Sequence, residues 1–294
     1  MPSSMSSLSA EPTVSVVIGS TASPDSLRAC LDALEPQRDG VEVIVAEATP
    51  SPDVVRTRYD WARFMERRNA LVPELWRDGI DAATGDVVAL TISPMVPAPD
   101  WIASIRTEHG AHDAVGGAID PGRSLRASDW GEYFCRYARE MRPFAAGEKG
   151  DLAGDNAAYK RSLLERWSAD YRDGFWEPEF HRRLTANGIG LWHTPSVVVF
   201  QGRSGGALAF VRQRLKHGRK YGRQRGARFS RARNAIGVAA APLVPFLMTA
   251  RVLREVFARG RYRLRVLVVL PVIFGFEVVW AFAEAAGHFD VLRR

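Results

Sequence analysis

Carboxylates occupy several positions in this sequence at which chemistry on a polar substrate could take place. Glu47 follows an apolar run, and Asp100 and Asp155 stand in loop-like stretches. Glu177 and Glu179 open the helical pattern EPEFHRRLTANG. A carboxylate can accept hydrogen bonds from a ribose or a base, or can take a proton from an attacking hydroxyl. The alternative roles are a solvent-exposed loop acid for Glu47 and simple helix capping for Glu177 and Glu179.

Several common catalytic signatures are missing from the sequence. It has no nucleotide-binding glycine fingerprint, no P-loop and no Gly-x-Ser-x-Gly elbow. No two histidines have the spacing of a zinc site on a helix. The two cysteines, Cys30 and Cys135, are too far apart for a metal motif. The carboxylates therefore remain as the candidates for catalysis.

The first part of the chain alternates between apolar runs and amphipathic stretches. The runs TVSVVIGS, VEVIVAEAT, DVVALTI and DAVGGAI are typical of buried parallel strands. Between them, SLRACLDAL, LVPELWRDGIDAATG and PDWIASIRTEHG have apolar residues at helical spacing. We therefore predict an α/β fold with a mixed, mostly parallel sheet covered by helices on both faces. Ligands bind at the carboxyl ends of such strands, which here are the loops after Ile18, Ala46 and Ile92.

The pattern changes after Gly117. GDNAAYKRSLLERW predicts a polar turn that leads into a helix, with Asp155 or Asn156 as its N-cap. EPEFHRRLTANG predicts another helix that ends near Gly188. GLWHTPSVVVFQG predicts a final strand, which would close the globular part of the chain.

Positive charge is concentrated in one stretch of the chain. The net charge is +7, yet eleven lysines or arginines and no acid lie between Arg203 and Arg233. Such a basic belt suggests an anionic partner, either a nucleic acid or the surface of an acidic membrane. A solvated helix face without a partner is the alternative.

Two apolar segments follow this basic belt. Residues 235–250 contain Pro242 and Pro245 and are flanked by cations on both sides, which favours an interfacial or re-entrant position over a span. Residues 266–287 are long enough to span a membrane but contain Glu277, so they could span or lie in the interface. The alternative is a soluble helical subdomain with two buried helices.

These patterns divide the chain into three parts. Residues 1–12 have no basic start and no apolar core, so we expect a disordered tail and not a signal peptide. Residues 13–205 would form the α/β domain. Residues 206–294 would form the basic belt and a membrane-associated helical region.

Six stretches of the α/β part occur in an informative order: TVSVVIGS, VEVIVAEATPSPD, RDGIDAATGDVVAL, PAPDW, GDNAAYKRSLLE and FWEPEFHRRLTANG. Together they resemble the motifs of the family 2 glycosyltransferases, an inverting group with the GT-A fold. The resemblance covers residues 13–205 and implies a GT-A-like domain there. It also implies transfer of a sugar from a nucleotide-diphosphate donor, by a single displacement that inverts the anomeric carbon.

The resemblance implies roles for individual positions. Glu47 would contact the nucleoside of the donor, and Arg77 would lie near its diphosphate. Glu177 or Glu179 would be the base that deprotonates the acceptor hydroxyl. Glu177 is preferred because it is the first acid of its segment.

The acceptor side is less defined. Asp155 and Asn156 fall in the loop that faces the acceptor in the family. The basic belt and apolar tail resemble members that work on the cytoplasmic face of a membrane, which implies a lipid-linked or cell-surface glycan as acceptor. The expected partners are thus a nucleotide-sugar, a membrane lipid and an anionic membrane surface.

The resemblance fails at the motif that normally binds a metal. In VVALTISPMVPAPDW, Ile92 and Pro94 stand where the family has two aspartates, and only the hydroxyl of Ser93 is near. The Mg²⁺ or Mn²⁺ that the family usually uses prefers oxygen ligands. Gln201 stands where many members have a histidine that can help to bind the metal. No metal ligand is therefore predicted, and Ser93 is expected to contact the donor.

Two interpretations follow from this departure. In the first, the enzyme is active without a metal, and arginines such as Arg77 and Arg203 neutralise the diphosphate. In the second, catalysis is lost and a membrane-associated binding protein remains. A nucleic-acid-binding role for the basic belt is disfavoured, because few aromatic side chains accompany its charges.

Overall fold

The computed structural model describes residues 11–21, 23–123, 125–203 and 205–293. Most of the tail predicted for residues 1–12 lies outside the described residues. The described chain forms two compact units. The first contains the residues up to Ala118 together with Ala145–Val199, and the second contains Ile119–Phe144 and the residues from Phe200 onwards. The domain boundary predicted between residues 205 and 206 stays a prediction.

Nine strands of the described chain form one sheet. They are β1 (Val14–Ser20), β2 (Val41–Glu47), β3 (Arg63–Glu66), β4 (Val87–Ile92), β5 (Met95–Pro97), β6 (Ala114–Pro121), β7 (Gly147–Glu148), β8 (Asn156–Lys160) and β9 (Trp192–Gln201). Their order is β3-β2-β1-β4-β8-β6-β9-β5, with β7 paired to β9. Strands β3, β2, β1 and β4 are parallel, whereas β8 runs antiparallel to both β4 and β6.

The helices of the described chain alternate with the strands at first and then continue alone. They are α1 (Pro24–Leu34), α2 (Asp53–Arg58), α3 (Val72–Ala82), α4 (Trp101–His109), α5 (Ala127–Tyr137), α6 (Arg161–Arg166), α7 (Glu177–Ala186), α8 (Ala207–Gly226), α9 (Arg231–Ala239), α10 (Val244–Arg259), α11 (Arg263–Val268) and α12 (Leu270–Leu292). Two short 3₁₀ turns cover Glu35–Gln37 and Ser168–Tyr171.

The sheet is covered on both faces, as its sequence predicts. Every residue of β1 and of β4 is buried. Successive side chains of a strand point to opposite faces, so complete burial requires cover on both sides. The register also aligns the carboxyl ends of the strands, because Ser20 pairs with Glu47 and Gly19 pairs with Ile92. The α/β prediction is confirmed, and the loops expected to carry chemistry lie at one edge.

One local prediction was wrong. Neither Asp155 nor Asn156 caps a helix, since Asn156 is the first residue of β8 and the helix α6 begins only at Arg161. Ala157 lies opposite Leu90 of β4 in the ladder, and the segment also pairs with β6 on its other side. Two ladders satisfy its backbone groups, which a capped helix at this place would not do.

In the second unit, α8 and α12 run parallel and in close contact. A Cβ added to Gly218 of α8 would lie 2.8 Å from the Cβ of Ala283, and one added to Gly226 would lie 3.2 Å from Val291. Between these two points, Gly222 meets the backbone of α12 directly. Glycines spaced four residues apart share one helix face, so their lack of side chains lets the two backbones approach. The basic belt therefore has one face that is a packing surface.

A buried ion pair lies within the same contact. Arg214 Nη2 is 2.6 Å from Glu277 Oε2, and the Glu277 side chain is fully buried. Arg214 Nε also donates to the carbonyl of Phe276 at 2.9 Å, and its guanidinium lies over the rings of Phe210 and Trp280. The acid that interrupts the second apolar segment is thus matched by a cation of the basic belt.

The two apolar segments have different structures. Residues 235–250 form parts of α9 and α10, which are bent by 74° and meet the criteria for a span only when taken together. Of the helices in the described ranges, α12 alone has the length and composition to cross a membrane. Exposed cations of α8, such as Arg212 and Arg219, lie on the helix beside it. Each such cation costs roughly 2.5–3.5 kcal/mol at a bilayer centre, so α8 opposes immersion of this helix pair.

We expect Gly222→Ala to destabilise the second unit by about 1–3 kcal/mol, because the new Cβ would overlap the carbonyl oxygen of Glu284. Denaturant unfolding followed by circular dichroism measures this change. The matched control is Gly275→Ala on α12, where nothing lies within 4 Å of the added Cβ. That control should be neutral or stabilising, since alanine favours helix over glycine. Equal stability of the two variants would contradict the close α8–α12 contact.

Candidate active site

The candidate site lies where β1, β2 and β4 end side by side. Ser20 of β1 is paired with Glu47 of β2, and the amide of Ser93 just beyond β4 donates to the carbonyl of Gly19 at 3.2 Å. Ser20, Glu47 and Ser93 are all buried. The structure therefore brings together the strand ends that the sequence assigned to donor binding.

Glu47 is held firmly at the end of β2. One of its carboxylate oxygens accepts hydrogen bonds from the backbone N–H of Ser51, at 3.1 Å, and from the Ser51 hydroxyl. The other accepts from Arg56 Nη2 at 2.8 Å, and Arg56 also pairs with Glu66. A carboxylate has about four acceptor sites, so one more bond to a nucleoside is compatible with this arrangement. The sequence did not reveal Arg56, because nothing in its spacing marks it as a partner of Glu47.

Trp76 fills the space behind these strand ends. Its indole N–H donates to the carbonyl of Thr91 at 2.8 Å. A Cβ added to Gly19 would lie 3.3 Å from the indole nitrogen, and one added to Gly154 would lie 2.8 Å from the far edge of the ring. Gly19 and Gly154 are therefore required by the bulk of Trp76. The departure noted at Gly19 has this physical reason, and Trp76 itself was not predicted.

Glu177 reaches the same place from α7. Its carboxyl carbon lies 3.2 Å from the position that a Cβ on Gly154 would take. The approach to α7 is fixed by a hydrogen bond from the amide of Phe175 to the carbonyl of Pro73, at 2.7 Å. Pro73 belongs to α3, the helix that carries Trp76. Glu177 is thus placed next to Trp76 and Gly154.

Glu179 has a different environment. Its carboxylate pairs with Arg182 at 2.7 Å and with Arg183 at 3.3 Å, both on the same helix. It therefore belongs to a cluster of charges along α7. The sequence could not separate Glu177 from Glu179, whereas their surroundings differ clearly.

A chain of hydrogen bonds anchors α7 one turn after Glu177. His181 Nε2 lies 2.7 Å from the hydroxyl of Tyr159, and its Nδ1 lies 2.6 Å from Asp151 Oδ1. Burial, aided by the carboxylates of Glu177 and Asp151, raises the pKa of Tyr159 well above its usual value, so the phenol stays protonated and donates to Nε2. Nδ1 then carries the proton and donates to Asp151. These bonds fix the orientation of the helix that presents Glu177.

Asp155 and Asn156 lie beside this site with different functions in the fold. The carbonyl of Asp155 accepts from the Thr91 hydroxyl at 3.0 Å. The Asn156 amide is used in three bonds: its oxygen accepts from Trp101 at 2.9 Å, and its nitrogen donates to two backbone carbonyls, those of Ala118 and Val197. Asn156 therefore braces neighbouring strands. The acceptor-side roles of both residues stay predictions.

The two arginines considered for the diphosphate have separate surroundings. Arg77 follows Trp76 on α3 and pairs with Asp81 at 2.9 Å and with Asp78 at 3.1 Å. Its charge is thus already offset by two carboxylates. Arg203 belongs to the second compact unit.

The residues at this edge do not fit a divalent cation. Ile92 and Pro94 offer no side-chain ligand, and Ser93 offers only a hydroxyl. In the part of the chain that the structure describes, no group of three or more His, Cys, Asp or Glu residues could hold a metal ion. A hard cation needs several oxygen ligands, so we assign no catalytic step to a metal here.

No protein family and no curated protein matches this chain by sequence. Its structure is similar to that of the mannosyltransferase PcManGT from Pyrobaculum calidifontis in complex with GDP-Man and Mn²⁺. That match has 17% identity and a TM-score of 0.51, and it covers 97% of this chain and 87% of the other. GalNAc-T7 with UDP, GalNAc and Mn²⁺ also matches, at 13% identity and a TM-score of 0.51, over 67% of this chain and 45% of the other.

The chain has a GT-A-like fold. Both matched proteins are glycosyltransferases, and their likeness to this chain lies in the mixed α/β architecture. At such low identity the likeness shows the fold alone. Assignment to family 2 stays a prediction that rests on the motifs.

Ser93 and Thr91 provide a matched test of the site. The buried Ser93 hydroxyl finds no hydrogen-bond partner among the described residues, whereas the Thr91 hydroxyl is bonded to Asp155. Ser93→Ala should therefore leave stability unchanged or raise it by up to about 1 kcal/mol, and Thr91→Val should lower it by about 1–2 kcal/mol. Denaturant unfolding measures both. A loss of stability in Ser93→Ala as large as that in Thr91→Val would show that the Ser93 hydroxyl serves the fold.

Proposed function

We propose that this protein transfers a sugar from a nucleotide-diphosphate donor to a hydroxyl of an acceptor, with inversion at the anomeric carbon. The observation that carries the proposal is the position of Glu177, next to Trp76 and Gly154 at the carboxyl edge of the sheet. The GT-A-like fold supports it, because the two matched glycosyltransferases were solved with a nucleotide-sugar or with a nucleotide and a sugar.

Glu177 acts as the general base in this reaction. Its carboxylate takes the proton of the acceptor hydroxyl while the hydroxyl oxygen forms a bond to the anomeric carbon. The bond between that carbon and the diphosphate oxygen breaks, and its electron pair leaves with the nucleoside diphosphate. Attack from the face opposite the leaving group inverts the configuration. The hydrogen-bonded chain through His181 holds α7 so that Glu177 keeps its direction.

The donor is bound by groups of the protein and not by a metal. Glu47 contacts the nucleoside, and the Ser93 hydroxyl, which is buried and lacks a partner among the described residues, donates to the donor. Arg77 stabilises the diphosphate after exchanging one of its pairings with Asp78 and Asp81. Arginine can grip phosphate oxygens in a bidentate way, which replaces part of what a cation supplies.

The acceptor is a lipid-linked or cell-surface glycan, and the protein works at the cytoplasmic face of a membrane. This part of the proposal is supported by the apolar helix α12 and by the concentration of cations between Arg203 and Arg233. Asp155 lies on the acceptor side of the site.

A catalytically inactive binding protein is the second candidate. It is favoured by one observation, the replacement of the family's metal-binding acids by Ile92 and Pro94. Such a protein would retain the donor site and lack turnover.

We expect Glu177→Gln to reduce turnover by about 10²–10⁴-fold while donor affinity stays within about twofold, because only the proton acceptor is removed. Single-turnover assays with purified nucleotide-sugars, together with calorimetric donor titrations, measure the two quantities. Glu179→Gln is the matched control, since Glu179 pairs with Arg182 and Arg183, and it should retain turnover. Full activity of Glu177→Gln would remove Glu177 as the base, and wild-type binding without turnover would favour the inactive protein.

Donor binding should be independent of divalent cations. We expect the affinity for a nucleotide-diphosphate sugar to be equal, within about twofold, in EDTA and in millimolar Mg²⁺ or Mn²⁺, because the site lacks the several oxygen ligands such a cation needs. Isothermal titration calorimetry in each condition measures this affinity. Binding that appears only with a cation would contradict the proposed metal-free donor site.

A further inference from the structure

The second unit exposes large apolar side chains on two of its helices. Leu243, Phe246 and Leu247 lie at the start of α10, and Leu264, Leu267 and Val268 lie on α11. Each is between 48% and 76% exposed. Isolated exposed apolar residues are normal, but a set concentrated on short neighbouring segments marks an interaction surface. We call these six residues the apolar surface.

The two halves of the apolar surface are linked through the start of α12. The Phe246 ring lies 5.0 Å from that of Phe274, so the start of α10 contacts the second turn of α12. Pro271 is exposed and stands three residues after Val268 and three before Phe274. The exposed apolar side chains therefore continue from α11 through α12 to α10.

Cations accompany this surface. Residues 243–269 contain six arginines and a single acid, Glu255. Four of these arginines, Arg251, Arg254, Arg263 and Arg265, are exposed. On α11 the exposed side chains alternate as arginine, leucine and arginine. Apolar side chains interleaved with arginine suit the boundary between lipid headgroups and acyl chains.

Two other occupants fit less well. A second copy of this chain docked through the same surface would bring the arginine-rich segments together, with one acid per chain to offset them. Insertion of α12 across the bilayer would carry the adjacent cations of α8, including Arg212 and Arg219, into hydrocarbon. The Gly222 contact keeps α8 and α12 too close for lipid to separate them.

We propose that the second unit binds an anionic bilayer from one side, through the apolar surface and its exposed arginines, and that α12 does not span the membrane. The apolar side chains enter the headgroup region, and the arginines contact lipid phosphates. This inference deepens the membrane association of the proposed function and is independent of its chemistry. The test below uses no sugar nucleotide, so the two proposals can fail separately.

The test is flotation of the full-length protein with phosphatidylcholine vesicles, alone or containing about one-third phosphatidylglycerol. We expect binding to the anionic vesicles and at least about tenfold weaker binding to the neutral ones. Alkaline carbonate should release the bound protein, since it lies in the interface. Equal binding to both vesicles would overturn the role of the arginines, and retention in carbonate would overturn the one-sided mode.

Variants locate the surface. The double variant Leu264→Asp with Leu267→Asp should bind anionic vesicles at least about tenfold more weakly, because two side chains that enter the lipid become charged. The same is expected for Phe246→Asp with Leu247→Asp. The control is Val54→Asp in the first unit, where the valine is 63% exposed, and it should bind like the wild type.

All variants change exposed side chains, and circular dichroism verifies that they fold. Wild-type binding by both double variants would overturn the proposal. A concentration-dependent dimer of the wild type that both double variants abolish, without vesicle binding, would assign the surface to a second copy instead.

Discussion

The candidate site depends on the space that one indole occupies. Trp76 donates to the carbonyl of Thr91 and lies against both Gly19 and Gly154. The two glycines and the tryptophan form one constraint, because a side chain at either glycine would have to displace the ring. Thr91 carries this constraint further, since its hydroxyl binds the loop before β8. Strand ends from opposite sides of the site are thereby held in a fixed relation before any ligand binds, which lowers the entropic cost of binding.

The second unit is organised by an equally close contact, between glycines of α8 and the backbone of α12. In sequence, the basic belt and the last apolar segment look like two separate features with different partners. In the structure they are two sides of one helix pair, with Arg214 and Glu277 paired at its centre. The remaining cations of α8 point away from α12. The positive charge is thus a property of the outer face only, and the apolar character of α12 serves partly to build the interior of the unit.

Strands with continuous apolar runs could be predicted from the sequence, because both faces of β1 and β4 are buried and the pattern is strong. Asn156 was misplaced, since its side chain satisfies backbone groups of strands that are distant in sequence. Trp76 and Arg56 could not be found, because their partners are fixed only by the sheet register. The two acids of α7 look alike in sequence, and only the proximity of Gly154 to Glu177 and of arginines to Glu179 separates them.

The Arg214–Glu277 pair has a consequence for how this chain can vary. Losing one partner leaves an unmatched charge inside the helix pair, at a cost of about 3–5 kcal/mol, whereas replacing both by apolar residues of similar volume can be neutral. The two positions are therefore free to change only together. Homologous chains that keep this helix pair should show correlated substitution at these sites, either as a charged pair or as two apolar residues.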